Sequence, residues 1–440
     1  MLELPLRAAL LALLWAGAHS LRCNTPNGCC RFRRGSQNGI ECDLSMHKKV
    51  MDVPKDKTSS SYQVLHFTNG SYGVKVEHNA LDGKQDVLLK DLDTAIFLGR
   101  DQTPTVPSPV GTSGNLTIDR VLKVELHPHA LDGWRGTDSV VQITNVARCR
   151  VDGSALAATT VVRRLLLENI TELVLAKGAI QATVDELTLR NVTVAECARG
   201  ALAGRVGRLR LISAEVRTLR SGCLHVLPGA KELSLRHSRL GRVSADAITG
   251  AVDELTFLDC KVLAIDTGGV QLNVSRLSLR QTDIGDLWPD SLWVNASRGL
   301  SVRDLRVSSR LHPGGLRGLR AAGDRGTGRR PALNITVLRV ERADPGSLEF
   351  DDNTTVNVKE LTFDIHKECE RGDHHPHSVY VQSAWQSAGS SGGCQSSIGD
   401  FFRPMFQCDF QRVLNETEGG PWNTDEQRNS CNREACTLPP

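Results

Sequence analysis

Aromatic residues make up only 4% of this 440-residue chain. Beyond the first twenty residues, no stretch approaches the roughly 18 consecutive apolar residues that a membrane-crossing helix needs. The shortage of rings, beside 39 glycines, argues against one large globular centre and for many small aliphatic layers. Without a second apolar run, and with a tail "NREACTLPP" that carries no hydrophobic anchor signal, no direct membrane anchor is expected. Charge of one sign is lacking too: 53 Lys and Arg stand against 50 Asp and Glu, a net charge of +3. So small an excess by itself argues nothing about nucleic acid, which is not expected as a partner.

The opening "MLELPLRAALLALLWAGAHS" places Arg7 before an apolar run and ends in the small-x-small triplet Ala18-His19-Ser20, the pattern of a signal peptide over 1–20. Nine N-x-S/T sequons follow, at Asn69, Asn115, Asn169, Asn191, Asn273, Asn295, Asn334, Asn353 and Asn415. With thirteen cysteines, they predict a secreted, extracellular glycoprotein made by an oxidising route.

The body of the chain repeats. Aligned on the first apolar residue of a four-residue core, "ELTL" at Leu187, "RLRL" at Leu209, "ELSL" at Leu233, "ELTF" at Leu255, "RLSL" at Leu277 and "GLSV" at Leu300 follow at steps of 22, 24, 22, 22 and 23. "RLLL" at Leu165, "VVQI" at Val141 and "NLTI" at Leu116 extend the series backwards. "VLRV" at Leu338 and "ELTF" at Leu361 continue it forwards after an interruption. With the core residue numbered position 4, apolar side chains fall at 1, 4, 6, 11 and 14, a small or apolar one at 9, and a small-apolar pair such as Ala247-Ile248 or Gly269-Val270 closes the unit. Alternation at 4 and 6 is that of a strand, and the later three-residue steps are those of a chain turning a corner. No unit can bury its own apolar edge, so neighbours must stack into a solenoid.

The pattern resembles the extracellular leucine-rich repeat, L-x-x-L-x-L-x-x-N-x-L, over somewhat more than half the chain. The resemblance implies a repeat solenoid with a parallel β-sheet, a leucine-rich-repeat-like horseshoe. It departs at position 9, where the family's Asn is replaced by Ile170, Val192, Ala214, Ser238, Cys260, Thr282 and Leu305. A degenerate horseshoe is therefore expected, with a right-handed parallel β-helix as the alternative. The domain reading is a Cys-rich N-terminal cap over 21–45, irregular early strands over 46–112, the solenoid over 113–307, a Gly/Arg-rich loop over 308–331, final repeats over 332–366 and a Cys-rich C-terminal region over 367–440.

Cys23, Cys29, Cys30 and Cys42 resemble the four-cysteine cap of secreted members, and Cys369, Cys394, Cys408, Cys431 and Cys436 suit a second disulfide cap whose pairing the sequence leaves open. The inner cysteines, Cys149, Cys197, Cys223 and Cys260, read as buried inert thiols rather than disulfides.

No catalytic residue, cofactor or metal is expected. Glu186, Glu232 and Glu254 at position 3 alternate with Arg164, Arg208 and Arg276, a charge ladder rather than an acid-base pair. His374, His375 and His377 lack an acid or cysteine at ligand spacing. Arg371-Gly372-Asp373 is a short adhesion-type tripeptide that arises readily by chance.

Binding has more support. Position 7 reads Glu168, Arg190, Ile212, Arg236, Leu258, Arg280, Arg303, and small hydroxylated residues predominate at position 5. The predicted ligand-binding face consists of Arg208, Arg210, Arg236, His237, Arg276, Arg280 and Arg303, whose guanidinium forks suit carboxylates or sulfates. Asn169 and Asn191, both at position 8, would carry glycans at one end of it. The interruption adds Arg310, Arg317, Arg320, Arg325, Arg329 and Arg330 against a single acid, Asp324, and reads as a projecting loop that could hold a polyanion. Two bland readings of it remain: a neutral spacer, or a processing site at Arg329-Arg330. The expected function is recognition of an extracellular protein or sulfated glycan in an adhesion or matrix role. A β-helix enzyme acting on extracellular polysaccharide and a structural matrix component are the alternatives.

Overall fold

The computed structural model describes residues 30–33, 38–53, 63–78, 80–81, 84–99, 114–132, 134–321, 332–344, 347, 350, 354–365 and 377–386. They fall in two compact units, Met1–Asp185 and Glu186–Pro440. Each unit is a solenoid of parallel strands, and no helix occurs among the described residues. The predicted signal peptide and most of the Cys-rich C-terminal region lie outside them.

One coil of the second unit shows how the sequence makes the fold. Strand Ile248–Ile265 alternates inward and outward, so that Leu255 and Phe257 at positions 4 and 6 are buried. Leu233, Leu255, Leu277 and Leu300 are register partners in successive coils, each at most 3% exposed. Burial of each such leucine stabilises by about 1.5–3 kcal/mol, and this aliphatic column is the core. After position 7 the chain turns, and positions 9, 11 and 14 (Cys260, Val262, Ile265) point inward from a second face. A further turn leads to a third face, where Val270, Leu272 and Val274 point inward. Strands therefore pair on three sides of the coil, which makes it a parallel β-helix, the alternative form of solenoid expected from the sequence.

Two corners recur through left-handed backbone. Position 8 has φ between 49° and 60° in the coils from Leu65 to Leu300: Asn69, Asp91, Arg120, Asn145 and Asn169 in the first unit, and Asn191, Ser213, His237, Asp259, Gln281 and Asp304 in the second; Leu44 and Val337, at the same position in the coils of Ile40 and Leu333, are not left-handed. Short polar side chains tolerate this region because they hydrogen-bond locally. Asn169 Nδ2 donates to Asn145 Oδ1 at 2.9 Å, and Asn145 Nδ2 to Asp119 Oδ1 at 2.7 Å. Position 17 is the second such corner. There Gly222, Asp246, Gly268 and Asp290, with Gly314 one residue later in its coil, all have positive φ, and each of the first four donates its N–H to the carbonyl of the next.

The missing position-9 asparagine is answered by other side chains. Ser238 Oγ donates to the carbonyls of Leu211 and Arg236, and Cys260 Sγ to those of Leu235 and Leu258. Thr282 Oγ1 donates to the Arg280 carbonyl. In these three coils the corner carbonyls are thus satisfied from inside, a contact that Ile170, Val192, Ala214 and Leu305 at the same position cannot make.

Length varies at the third corner, between the third face and the next first face. Val226 and Ala230 oppose Gly250 and Val252, which leaves Leu227, Pro228 and Gly229 as a bulge. Ala321 ends a third-face strand and Ala332 begins the next first-face strand, and 322–331 between them lie outside the described residues.

Three expectations need correcting. The series begins before Leu116: Ile40, Leu65, Val87 and Leu116 are successive register partners, so the early strands expected over 46–112 include Val64–Gly70 and Asp86–Phe97 as members of the same series. Leu338 and Leu361 occupy position 9, because Leu333 pairs with Leu300 and Leu338 with Leu305. Inward alternation continues round the corner, and it imitates the core motif five residues late. Finally, 308–321 is no projecting loop: Leu311, Leu316 and Leu319 are fully buried, and Leu319–Ala321 forms a third-face strand against Val294–Ala296.

Antiparallel strands occur at both ends of the described chain. Cys30–Arg33 pairs with Gly39–Asp43 in the first unit, and Thr355–Ile365 with His377–Gln386 in the second. Such strands cover edges that would otherwise invite pairing.

Candidate functional site

The outward positions of the first face in the second unit form three columns. Position 3 runs Arg208, Glu232, Glu254, Arg276; position 5 runs Arg210, Ser234, Thr256, Ser278, Ser301; position 7 runs Ile212, Arg236, Leu258, Arg280, Arg303. The predicted face residues are therefore spread over all three columns, with His237 at the position-8 corner.

Most of these cations are answered by their neighbours. Arg210 sits between two carboxylates, with Nη1 at 2.8 Å from Glu186 and Nη2 at 2.8 Å from Glu232. The hydrogen bond to Glu232 is the main reason its pKa is raised, with Glu186 adding to it. Glu232 also lies 3.7 Å from Arg236, whose Nε donates to Ser234 Oγ at 3.0 Å. Arg276 lies 3.5 Å from Glu254, and His237 Nδ1 lies 2.9 Å from Asp259. The position-3 glutamates are thus tied to arginines, but only Glu254 and Arg276 form the expected rung within position 3, since Glu186 and Glu232 are held by Arg210 at position 5.

Three cations of the face, Arg208, Arg280 and Arg303, have no ion-pair partner among the described residues, and the last two stand side by side. Those two are register partners on adjacent strands, about 4.8 Å apart by strand spacing. Arg280 Nε donates to Ser278 Oγ at 3.1 Å, and among the described residues neither guanidinium has an ion-pair partner. Like charges opposite one another in a ladder are destabilising unless something offsets them. Ser278 and Ser301 lie beside them in the neighbouring column, so the pair presents two exposed forks flanked by hydroxyls.

The expected polyanion loop is only partly a candidate. Arg310 Nη2 lies 2.9 Å from Asp344, Arg317 Nη2 lies 2.7 Å from Asp290, and the Arg320 guanidinium lies 3.9 Å from the centroid of the Trp293 ring. These three are engaged in holding the coil. Arg325, Arg329 and Arg330 lie outside the described residues. The signal that separates the two groups was present in the sequence: Leu311 and the small-apolar pair Gly315-Leu316, each one residue later than in the preceding coils, continue the repeat through the Gly-rich stretch.

Cysteine placement both agrees and differs. Cys30 and Cys42 are bonded, as expected of a cap. Cys197 and Cys223, expected as thiols, form a disulfide with Cα atoms 5.7 Å apart, since successive coils bring position 14 beside position 18. Cys149 and Cys260 are buried thiols. Cys23, Cys29, Cys369, Cys394, Cys408, Cys431 and Cys436 lie outside the described residues. Burial pushes the Cys149 thiol up to about 12 and raises that of Cys260. At pH 8 only roughly one Cys149 in 10⁴ is then thiolate. Iodoacetamide at pH 8 should leave both unmodified in the native protein and label both after unfolding, as read by peptide mass mapping. Labelling of either in the native state would contradict this placement.

Among the sequons, Asn69, Asn115, Asn169, Asn191, Asn273 and Asn334 are exposed and Asn295 is half-buried, while Asn353 and Asn415 lie outside the described residues. Of the histidine cluster, only His377 is described, at the start of the antiparallel end strand, and Arg371-Gly372-Asp373 is not. Among the described residues no group of three or more His, Cys, Asp or Glu side chains is placed to hold a metal ion. No family model, curated protein or solved structure matches this chain.

Proposed function

We propose that this chain is a secreted, N-glycosylated and non-enzymatic repeat protein that binds an extracellular protein or glycan bearing anionic groups, in a recognition, adhesion or matrix role. The observation that supports it most is the adjacent pair Arg280 and Arg303, left without carboxylate partners on a face where other arginines have them. Sulfate and carboxylate groups accept bidentate hydrogen bonds from such forks, and the serines beside them can add further donors. The leucine-rich-repeat resemblance implies the same class of role. An enzyme acting on polysaccharide has less support, because Glu186, Glu232 and Glu254 are each held by an arginine.

The test is retention on an immobilised sulfated glycan across a salt gradient. Arg280→Ser/Arg303→Ser should elute at clearly lower salt than the natural chain, with binding weakened about tenfold or more, since two charge-assisted contacts are lost. Arg325→Ser/Arg329→Ser/Arg330→Ser, tested in parallel, reports what the undescribed stretch adds. Identical elution of the first variant and the natural chain would sink the assignment of this face.

A further inference from the structure

Trp293 is one of few large apolar side chains left open to solvent, 40% exposed on the third face of the second unit. It belongs to strand Leu292–Leu311, where Leu292, Val294 and Ala296 point inward. Residues two apart on a strand share a face, so Trp293 and Asn295 stand side by side on the outside, about 7 Å apart along the backbone. The Arg320 guanidinium lies 3.9 Å from the centroid of the indole, and Arg320 is the register partner of Asn295 on the next strand. A cation held at that distance pins one face of the ring and keeps the indole beside the asparagine.

Asn295 opens the sequon Asn295-Ala296-Ser297. We infer that Trp293 is a platform for the Asn295 glycan: the apolar C–H face of the first N-acetylglucosamine packs on the indole face not taken by Arg320. A sugar ring presents positively polarised C–H groups to the negative face of an aromatic ring, and covering an exposed indole removes apolar area from water. This rests on the proposed passage of the chain through a glycosylating compartment, and adds to it a specific receptor for one glycan.

Two internal comparisons sharpen the reading. The spacing aromatic-x-Asn-x-Ser occurs also at Phe67 and Asn69, but Phe67 is 1% exposed in the core and Asn69 occupies the left-handed corner, so no platform exists there. On the preceding strand Gln271 and Asn273 are the register partners of Trp293 and Asn295. Asn273 thus offers the same strand setting with an amide in place of the ring.

The experiment is glycopeptide mass spectrometry on the full chain from a glycosylating eukaryotic host, with thermal unfolding of the same samples. In the natural chain Asn295 should be occupied. Trp293→Thr should lower its occupancy at least twofold while Asn273 and Asn334 hold theirs. Asn295→Gln should lower the unfolding midpoint in the Trp293 background and have little effect in the Trp293→Thr background, because the glycan acts through the ring. An equal loss from Trp293→Thr with and without Asn295 would reduce Trp293 to a purely structural partner of Arg320 and overturn the inference. Glycans elsewhere with Asn295 empty would also overturn it, whereas no glycan at any sequon would overturn the secretory reading as well.

Discussion

Gly250→Ala should destabilise the second unit by about 3–5 kcal/mol, as measured by urea unfolding against the natural chain. Gly250 has φ +123°, a conformation that L residues enter only at a cost of about 1–3 kcal/mol. Its position adds a second cost. A Cβ there would lie 1.8 Å from the Val226 carbonyl oxygen, and that carbonyl belongs to a paired strand rather than to a flexible side chain. Relief requires the backbone to shift, and overpacking of this kind costs about 1–3 kcal/mol. The close approach follows from the bulge of Leu227, Pro228 and Gly229 on the preceding strand. Gly229 makes the control: its φ is +97°, yet nothing lies within 4 Å of its Cβ position, so Gly229→Ala should cost only the conformational part, about 1–2 kcal/mol. Equal losses from the two alanines would show that the Val226 carbonyl is not where the structure places it.

That bulge also explains why the repeat was readable only in part. Inward residues recur at 22 when the third corner has its minimum length, and from Leu187 to Leu300 only two of the five steps exceed this, by two residues and by one. The first face, with its alternating Leu255 and Phe257, was therefore plain from spacing, as were the outward arginines. Unequal steps of 25, 22 and 29 from Ile40 through Leu65 and Val87 to Leu116 blurred the early coils, and a step of 33 from Leu300 carried the later alignment to Leu338 in place of Leu333. The form of solenoid was ambiguous for another reason. The leucine-rich-repeat pattern has its asparagine at position 9, whereas the left-handed residue stands at position 8, where Asn, Asp, Ser, His, Gln and even Arg120 share one backbone conformation. A backbone requirement met by six residue types leaves little trace in composition. The candidate site was half legible: spacing assigned Arg280 and Arg303 to one column, but only the neighbouring side chains show that Arg210 and Arg276 are already neutralised while this pair is not.

Cys197→Ala/Cys223→Ala should lower stability by about 3 kcal/mol, enough to shift the folded to unfolded ratio more than 100-fold. The bond closes a loop with a sequence separation of 26, slightly more than one coil. Cross-linking a loop of that size removes denatured-state freedom worth about 3.5 kcal/mol in the chain-entropy account, and the small hydrophobic alanines return little of it. Both sulfurs belong to buried residues, Cys223 standing as the small member of the pair Cys223-Leu224 that is Ala247-Ile248 in the next coil. Alanine therefore fits position 18 without strain, and the loss reports the cross-link rather than the packing. Because both cysteines are buried, dithiothreitol should leave the bond intact in the native protein and reduce it only with unfolding. A double variant within about 0.5 kcal/mol of the natural chain, or native-state labelling of Cys197 by iodoacetamide, would mean that the bond does not form. If it forms, a chain made in a reducing compartment should match the double variant in stability, which ties the solenoid's full stability to oxidative folding.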